Sequence, residues 1–467
     1  MRKVTASEAA QWCGGRLYGP DADISREWRS DSREVSPCGA FVALRGAKTD
    51  GHLYIVQTIE RGAKLILLEE SEMDALGLRD KKYSGVTFIA VSDTTEALAR
   101  IARGYLQAVA PTVIGITGSV GKTTTRELSV AVLKRRYRVH SAIRSFNTII
   151  GCSLTVLSMP AETEVLVLEL GTNHFGEIRE MVSYFPPEIA VITEVAPAHL
   201  EGFGSVEGVL RAKAEICTSK NLKHVVYNAD NKLLREYMSA RDGDFSLCSV
   251  GCSEGASLRA VSAHIVFGDG GAKLLAEYES EKGNISAEAA LFGLQHVYNV
   301  GCALALGRHL SVPDGDIQSA LAGVRATGGR GVCKKSESGV WVIDEAYNAN
   351  PSSMNAAVDN VSEVARDGER YDMYAVLGGM RELGGSSAIW HAKTLERIGG
   401  YREVILLGEE WFDVSINIPA NAKRFRTFEE VMDRVNESDM TNGVLLIKGS
   451  NSYGLKRLVA VLTEGRA

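Results

Sequence analysis

The stretch Thr112–Leu128, T-V-I-G-I-T-G-S-V-G-K-T-T-T-R-E-L, decides how the rest of the chain is read. Its first residues form the kind of apolar run that makes a buried strand, and a helix is expected from about Thr124 to Arg138. Between them, Gly118–Thr125 supplies the parts of a phosphate cradle. Gly118 and Gly121 let backbone N–H groups turn inward, Lys122 offsets charge on the β- and γ-phosphates, and the Thr123 hydroxyl suits Mg²⁺. Ser119 and Thr124 complete the loop at a helix N-terminus, whose dipole favours anions. The general pattern has its first glycine at position 116, which is Ile here, so this is a variant phosphate-binding loop. A chance glycine-rich turn is the alternative, and the strand and helix around it argue against that.

Working outward, strands are expected at Val165–Leu170, Ile189–Thr193 and Val225–Asn228, separated by helical stretches. That pattern implies a mostly parallel, doubly wound sheet. Gly268–Gly271 marks a hairpin-like turn in a more β-rich insertion, and a helix over Val297–Arg308 returns to the α/β style. Upstream, short apolar runs (Phe41–Leu44, Leu65–Leu68, Thr87–Val91) alternate with turn residues, suggesting a small α/β domain. Downstream of T-G-G-R-G at 327–331, strands at Val340–Asp344, Tyr374–Leu377, Val404–Leu407 and Val444–Ile447 alternate with helical patterns such as Met354–Ala365, as in a Rossmann-like domain. The fold class expected is therefore α/β in three domains, 1–110, 111–327 and 328–467, with ATP bound by the central one.

Composition agrees with a folded, multidomain chain. Of 467 residues, 45% are apolar and 24% charged. The net charge of −6, with Lys and Arg spread evenly, argues against nucleic-acid binding. With neither a leader-like apolar segment nor a run long enough to span a bilayer, no membrane insertion and a cytoplasmic location are expected. The eight cysteines are scattered, and only Cys248 and Cys252 lie close. Lacking a zinc-like second pair, they read as reduced thiols used as small buried apolar filler.

Four further residues carry candidate chemistry. Glu169 ends a buried strand after the phosphate loop, where a Mg²⁺ ligand belongs; a polar strand end facing water is the alternative. His199 follows the strand at Ile189–Thr193 and suits either a second metal or ordinary hydrogen bonding. Lys213 alone reads as a solvated helix lysine. Asp344, at a strand end, suits the ribose hydroxyls, unless it belongs to a helix-capping cluster with Asn350 and Ser352.

Together these strings resemble the Mur ligase family. The ordered motifs are D-S-R from Asp31, F-V-A-L-R-G from Phe41, D-G-H from Asp50, the phosphate loop, S-F-N-T-I-I-G from Ser145 and E-L-G-T-N from Glu169. They continue through the His199 and Lys213 segments, Asn299, Gly329 with Arg330, D-E-A-Y-N-A-N-P from Asp344, L-G-G-M-R-E-L-G from Leu377 and K-G-S from Lys448. Within the family, A-H-L-E-G-F-G-S, Y-N-A-N-P-x-S-M and M-x-E-L-G resemble the member that adds D-alanyl-D-alanine to a nucleotide-linked tripeptide.

The resemblance implies an ADP-forming ligase joining D-alanyl-D-alanine to UDP-N-acetylmuramoyl-tripeptide, with ATP and Mg²⁺ as cofactors, acting as a monomer. It implies that Ser32, Arg33 and Arg45 in the first domain, and Asn147 and Thr148 in the second, contact the UDP substrate. Asn299, Arg330 and Asp344 would contact the nucleotide of ATP. Lys122, Lys213 and His199 would be catalytic, with Thr123, Glu169, His199 and a carbamylated Lys213 holding metal. Departures from the family pattern are Thr148 for a second Asn, Gln295-His296 for His-Asn, Glu345 for a second Asp, and Gly379 for the Asp of L-G-D-M. The alternatives are a paralogue acting on a different carboxylate and amino acid, a non-catalytic nucleotide-binding scaffold, and a simple kinase.

Overall fold

The strand Thr112–Thr117 sits inside a nine-stranded sheet, flanked in parallel by Val165–Glu169 and Ile189–Ile192. The computed structural model describes residues 4–24, 27–46, 49–142, 146–198, 200–241, 243–268, 270–326, 328–364, 371–438, 440–441 and 443–464. From the flank at Val165–Glu169 the sheet ends at Val139–Ser141; from the other it runs through His224–Asn228 and Ser246–Gly251 to Leu258–Gly268, all in parallel. It finishes as an antiparallel extension, Leu258–Gly268 with Gly271–Ser280 and then Ile285–Ala289. After Thr117 the next two strands build to one side and the later ones to the other. That reversal opens a crevice at the carboxyl end of the Thr112–Thr117 strand, where α/β sheets bind ligands.

Two smaller mixed sheets complete the chain. The first has five strands, ordered Arg16–Tyr18, Thr87–Val91, Leu65–Glu69, Ala40–Val42 and Trp28–Arg29, antiparallel only at its first pair. The last has six, ordered Val332–Lys335, Trp341–Glu345, Gly443–Lys448, Asp372–Gly378, Glu403–Leu407 and Ala422–Phe425, again antiparallel only at its first pair. The fold is thus α/β in three domains; Gly268 pairs with Gly271 in the hairpin expected there, whereas the antiparallel first pairs of the two smaller sheets were not announced by the alternating pattern.

The packing between sheets positions the crevice. Helix Thr94–Val109 starts where the Asp93 carboxylate accepts from the Thr95 and Glu96 N–H groups. It lies against helix Ile149–Leu157, and the Tyr105 hydroxyl donates to the Met159 carbonyl at 2.7 Å. On the other side, Phe267 of the antiparallel extension stacks on Trp341 with ring centroids 5.1 Å apart, tying the last sheet to the central one.

The helix after the phosphate loop spans Lys122–Leu133, starting earlier and ending sooner than its sequence pattern predicts. Past Leu133 the backbone tightens into turns, the Arg135 and Arg136 N–H groups donating to the Val132 and Leu133 carbonyls, and the Arg136 and Tyr137 side chains donate to the carbonyls of Ser311 and Leu310. Among the described residues no helix is long and apolar enough to cross a membrane. All eight cysteines are free, but Cys38 and Cys252 are exposed and Cys248 half-buried, so the expectation of buried filler fails for these.

Candidate functional site

The phosphate loop closes over the crevice in a conformation that only glycine can supply. Gly118 has φ +147°, and a Cβ there would overlap the Thr193 hydroxyl; Gly121 has φ +86°, and a Cβ there would come within 2.5 Å of Asn299 Oδ1. Both positions therefore need a missing side chain as well as a permissive backbone. The loop is held from behind. The Ser119 N–H donates to the Glu194 carbonyl at 2.7 Å, the Ser119 hydroxyl donates to the Ala196 carbonyl at 3.0 Å, and the Thr193 hydroxyl donates to the Val120 carbonyl at 2.5 Å.

A cleft of about 720 Å³ opens in front of the loop. It is lined by Gly118, Ser119, Gly121, Lys122, Thr123, Thr124, Asn147, Thr148, Glu169, Lys213, Asn299 and Arg330 among the residues singled out from sequence. Lys122 Nζ donates to the Gly118 carbonyl at 2.7 Å, curling over the loop. Burial pushes its pKa down, the Glu169 carboxylate opposes this, and Arg330 adds to it. The Thr123 hydroxyl donates to Glu169 Oε2 at 2.8 Å, and Arg126 Nη1 lies 3.6 Å from the same oxygen.

Lys213, on helix Val206–Ala214, is 2% exposed. Its ammonium lies 5.9 Å from the Phe203 ring centroid, and it has no hydrogen bond or ion pair among the described residues. Burial, reinforced by the charge on Lys122, drives its pKa well below the usual lysine value. His199 lies outside the described residues. Among the described residues no three His, Cys, Asp or Glu side chains are grouped to hold a metal.

The opposite wall comes from the last domain. Gly329 N–H donates to Asp344 Oδ2 at 2.7 Å, and Ala346 N–H to Asp344 Oδ1 at 3.1 Å. Asp344 thus braces the two turns that carry Arg330 and Tyr347 and does not itself line the cleft. The Arg330 guanidinium lies 4.0 Å over the Tyr347 ring, and both line the cleft.

Three residues expected at the UDP end lie apart from the cleft. Arg33 is spread on the surface against Asp31, with Nη2 2.7 Å from Oδ2. Arg45 is held by Glu69 at 2.9 Å, Glu72 at 3.0 Å and Asp50, which raises its pKa, chiefly through the Glu69 hydrogen bond. Ser32 contributes its carbonyl to Arg61 at 2.9 Å.

Two further charged residues line the cleft: Lys448, which sequence reasoning placed in the K-G-S motif without giving it a role, and Glu194, which it missed. Lys448 is 2% exposed, its ammonium 3.2 Å from Glu345 and 3.1 Å from the Asn348 carbonyl. Glu194 is buried, which raises its pKa against the hydrogen bond it accepts from Asn228 at 2.7 Å. Lys448 ends its strand and Glu194 follows one, the signal that could have assigned both to the site.

Family models for the Mur ligase family, catalytic domain, the Mur ligase middle domain, and the Mur ligase, glutamate ligase domain match residues 28–106, 116–307 and 329–451. The chain is 32% identical over 402 residues to the UDP-N-acetylmuramoyl-tripeptide–D-alanyl-D-alanine ligase of Bacillus subtilis, covering 84% of this chain and 82% of that one. Its fold matches MurF from Acinetobacter baumannii with a TM-score of 0.85 at 24% identity, covering 99% of both chains. It matches MurF ligase from Thermotoga maritima, solved in complex with ADP, with a TM-score of 0.79 at 25% identity, covering 95% of this chain and 98% of that one. The chain belongs to the Mur ligase family.

Proposed function

We propose that this Mur ligase joins D-alanyl-D-alanine to the terminal carboxylate of UDP-N-acetylmuramoyl-tripeptide in peptidoglycan precursor synthesis, forming ADP and phosphate. The observation that carries this reading is the convergence of the phosphate loop, Glu169, Lys213 and the Arg330–Tyr347 wall on one cleft. The 32% identity to the Bacillus subtilis ligase supports the choice of substrates. Three domains bounded at 1–110, 111–327 and 328–467 would divide the work, holding the UDP substrate, ATP and the acceptor dipeptide. A cytoplasmic monomer is the form we propose.

A carboxylate is a poor electrophile. Attack of one of its oxygens on the γ-phosphorus of ATP breaks the bond to the β-phosphate oxygen, giving an acyl phosphate and ADP. Lys122 and the loop N–H groups would bear the charge on the moving phosphoryl group, which is chiefly a positioning and electrostatic task. The dipeptide amine then attacks the acyl carbon, loses a proton, and phosphate leaves as the amide forms.

The donors present fit Mg²⁺: the Thr123 hydroxyl and the Glu169 carboxylate are hard oxygen ligands at the phosphate loop. When bound, the ion supplies positive charge against the phosphates. Lys213 as an ammonium would oppose that charge. Its burial favours the neutral amine, which adds CO₂ with release of a proton to give a carbamate, an anion with two oxygens suited to a hard cation. As a carbamate, Lys213 would hold a second Mg²⁺, and the family resemblance would add His199, which lies outside the described residues, as its partner ligand. Asn299 and Arg330 line the ATP side; Asp344 contributes by bracing the Arg330 turn.

The test is a panel of UDP-linked peptides and D-amino-acid dipeptides incubated with the protein, ATP and Mg²⁺, with amide product scored by mass spectrometry. The expected result is product from the tripeptide with D-alanyl-D-alanine. Phosphate release without amide on any pair, or product only with another acceptor, would overturn the reading.

A further inference from the structure

The family string L-G-D-M reads L-G-G-M here, so a carboxylate expected at position 379 is missing. The structure brings another into the same space. Strands Asp372–Gly378 and Glu403–Leu407 run in parallel with Gly378 opposite Leu407, so the loops leaving them are neighbours. Glu410, on the turn Glu409–Phe412, points back across this junction. A Cβ built on Gly379 would lie 2.8 Å from the Glu410 carboxyl carbon and collide with its Oε2, and would lie 3.0 Å from the Tyr453 hydroxyl. No positive φ is required of Gly379, so its backbone would accept an aspartate. A side chain there would have to displace the Glu410 carboxylate. Gly408 leaves room from the other side, where a Cβ would lie 2.8 Å from Glu410 Oε2.

The carboxylate is placed to act. Glu410 accepts from the Tyr453 hydroxyl through Oε2 and binds Arg381 Nη1 at 3.0 Å through Oε1, while Arg381 lies 5.0 Å over the Tyr453 ring. Arg381 lines the cleft and is half-exposed. Its remaining N–H groups have no partner among the described residues. The other lysines and arginines named in the cleft are placed elsewhere. Lys122 curls onto the phosphate loop, Arg330 covers Tyr347, Lys448 is buried against Glu345, and Lys213 belongs to the central domain wall. The acceptor dipeptide brings a carboxylate of its own into the cleft. A guanidinium with a free edge is suited to grip it.

We propose that Glu410, steadied by Tyr453, replaces the family aspartate at position 379 and positions Arg381 to bind the terminal carboxylate of the acceptor dipeptide. This rests on the ligase reading above. Glu410 is a positioning residue; Arg381 is the group that meets substrate.

The test compares Glu410→Ala, Glu410→Gln, Gly379→Asp and the double variant Gly379→Asp/Glu410→Ala. KM is measured for D-alanyl-D-alanine, for its C-terminal carboxamide and for ATP. Loss of one charge-assisted contact is expected to raise KM for the dipeptide roughly tenfold in either Glu410 variant, with kcat and the KM for ATP within about twofold. KM for the carboxamide is expected to be equal in wild type and variants, because it has no carboxylate to grip. Gly379→Asp alone sets two carboxylates in one space and is expected to be impaired; the double variant is expected to recover most of the affinity. Should Glu410→Ala fail to give a cooperative melt, Glu410→Gln, which keeps the shape and loses the charge, decides the question. An unchanged dipeptide KM in the folded Glu410 variants, or a double variant no better than Glu410→Ala, overturns the proposal. A wild-type protein that makes no amide from the dipeptide overturns the ligase reading instead.

Discussion

The phosphate loop and the rim of the first domain were both expected to bind substrate, and the structure treats them differently. At the loop, Lys122, Thr123, Glu169 and Asn299 face one cleft, and glycines 118 and 121 leave no room for side chains. At the rim, Arg33 and Arg45 are occupied by carboxylates of their own domain. Phosphate recognition is built from backbone N–H groups at one helix start, so it is complete before ligand arrives. Recognition of an extended substrate by surface arginines requires that ion pairs be exchanged, and each exchange lowers the net gain.

The sharpest way to break this contrast is Lys122→Ala. Removing the phosphate loop's lysine from a preorganised site should lower amide formation by roughly two to three orders of magnitude while leaving the melting temperature within a few degrees. Wild-type turnover would dissolve the distinction between loop and rim. Lys213→Ala should follow, with a loss of about a hundredfold and partial recovery on adding short-chain carboxylic acids, which restore oxygens in the vacated space. A helix lysine that merely met solvent would give almost no loss, and full activity without bicarbonate would refute the carbamate.

How much of this could be read in the sequence follows the same division. The loop was legible because its requirements are local: glycine where a Cβ collides, lysine and threonine where a helix begins. The early end of its helix was not, and there the Arg136 and Tyr137 side chains bond to carbonyls far along the chain. The strands were legible as apolar runs and the Gly268–Gly271 hairpin as a local turn, whereas the antiparallel edges of the two smaller sheets depend on pairing that no local pattern records. Asp344 had the right residue type and strand end for ribose, but its oxygens accept from Gly329 and Ala346, a use that only tertiary structure reveals. The Glu410 carboxylate at Gly379 was invisible for the same reason.

Gly121→Ala sharpens the comparison at a smaller scale. A left-handed φ of +86° together with the 2.5 Å approach to Asn299 should cost about 1–3 kcal/mol, read as a melting temperature lower by several degrees, and should weaken ATP binding. An unchanged melt and affinity would mean that the loop rearranges freely.

At the rim the effects should be smallest. Arg33→Ala should raise KM for the UDP-linked substrate about two- to fivefold, as for an exposed charge contact. Arg45→Ala should change it less, because Glu69, Glu72 and Asp50 already hold that guanidinium. Equal effects would show that those carboxylates release Arg45 to substrate.

The central claim, that the cleft transfers a phosphoryl group to a carboxylate before the amide forms, is tested most directly by isotope transfer. The terminal carboxylate of the tripeptide is labelled with ¹⁸O, and the released phosphate is analysed by mass spectrometry after a single turnover with ATP and D-alanyl-D-alanine. An acyl phosphate leaves one carboxylate oxygen in the phosphate, so singly labelled phosphate alongside ADP is the predicted result. Unlabelled phosphate, or label appearing in AMP, would contradict it.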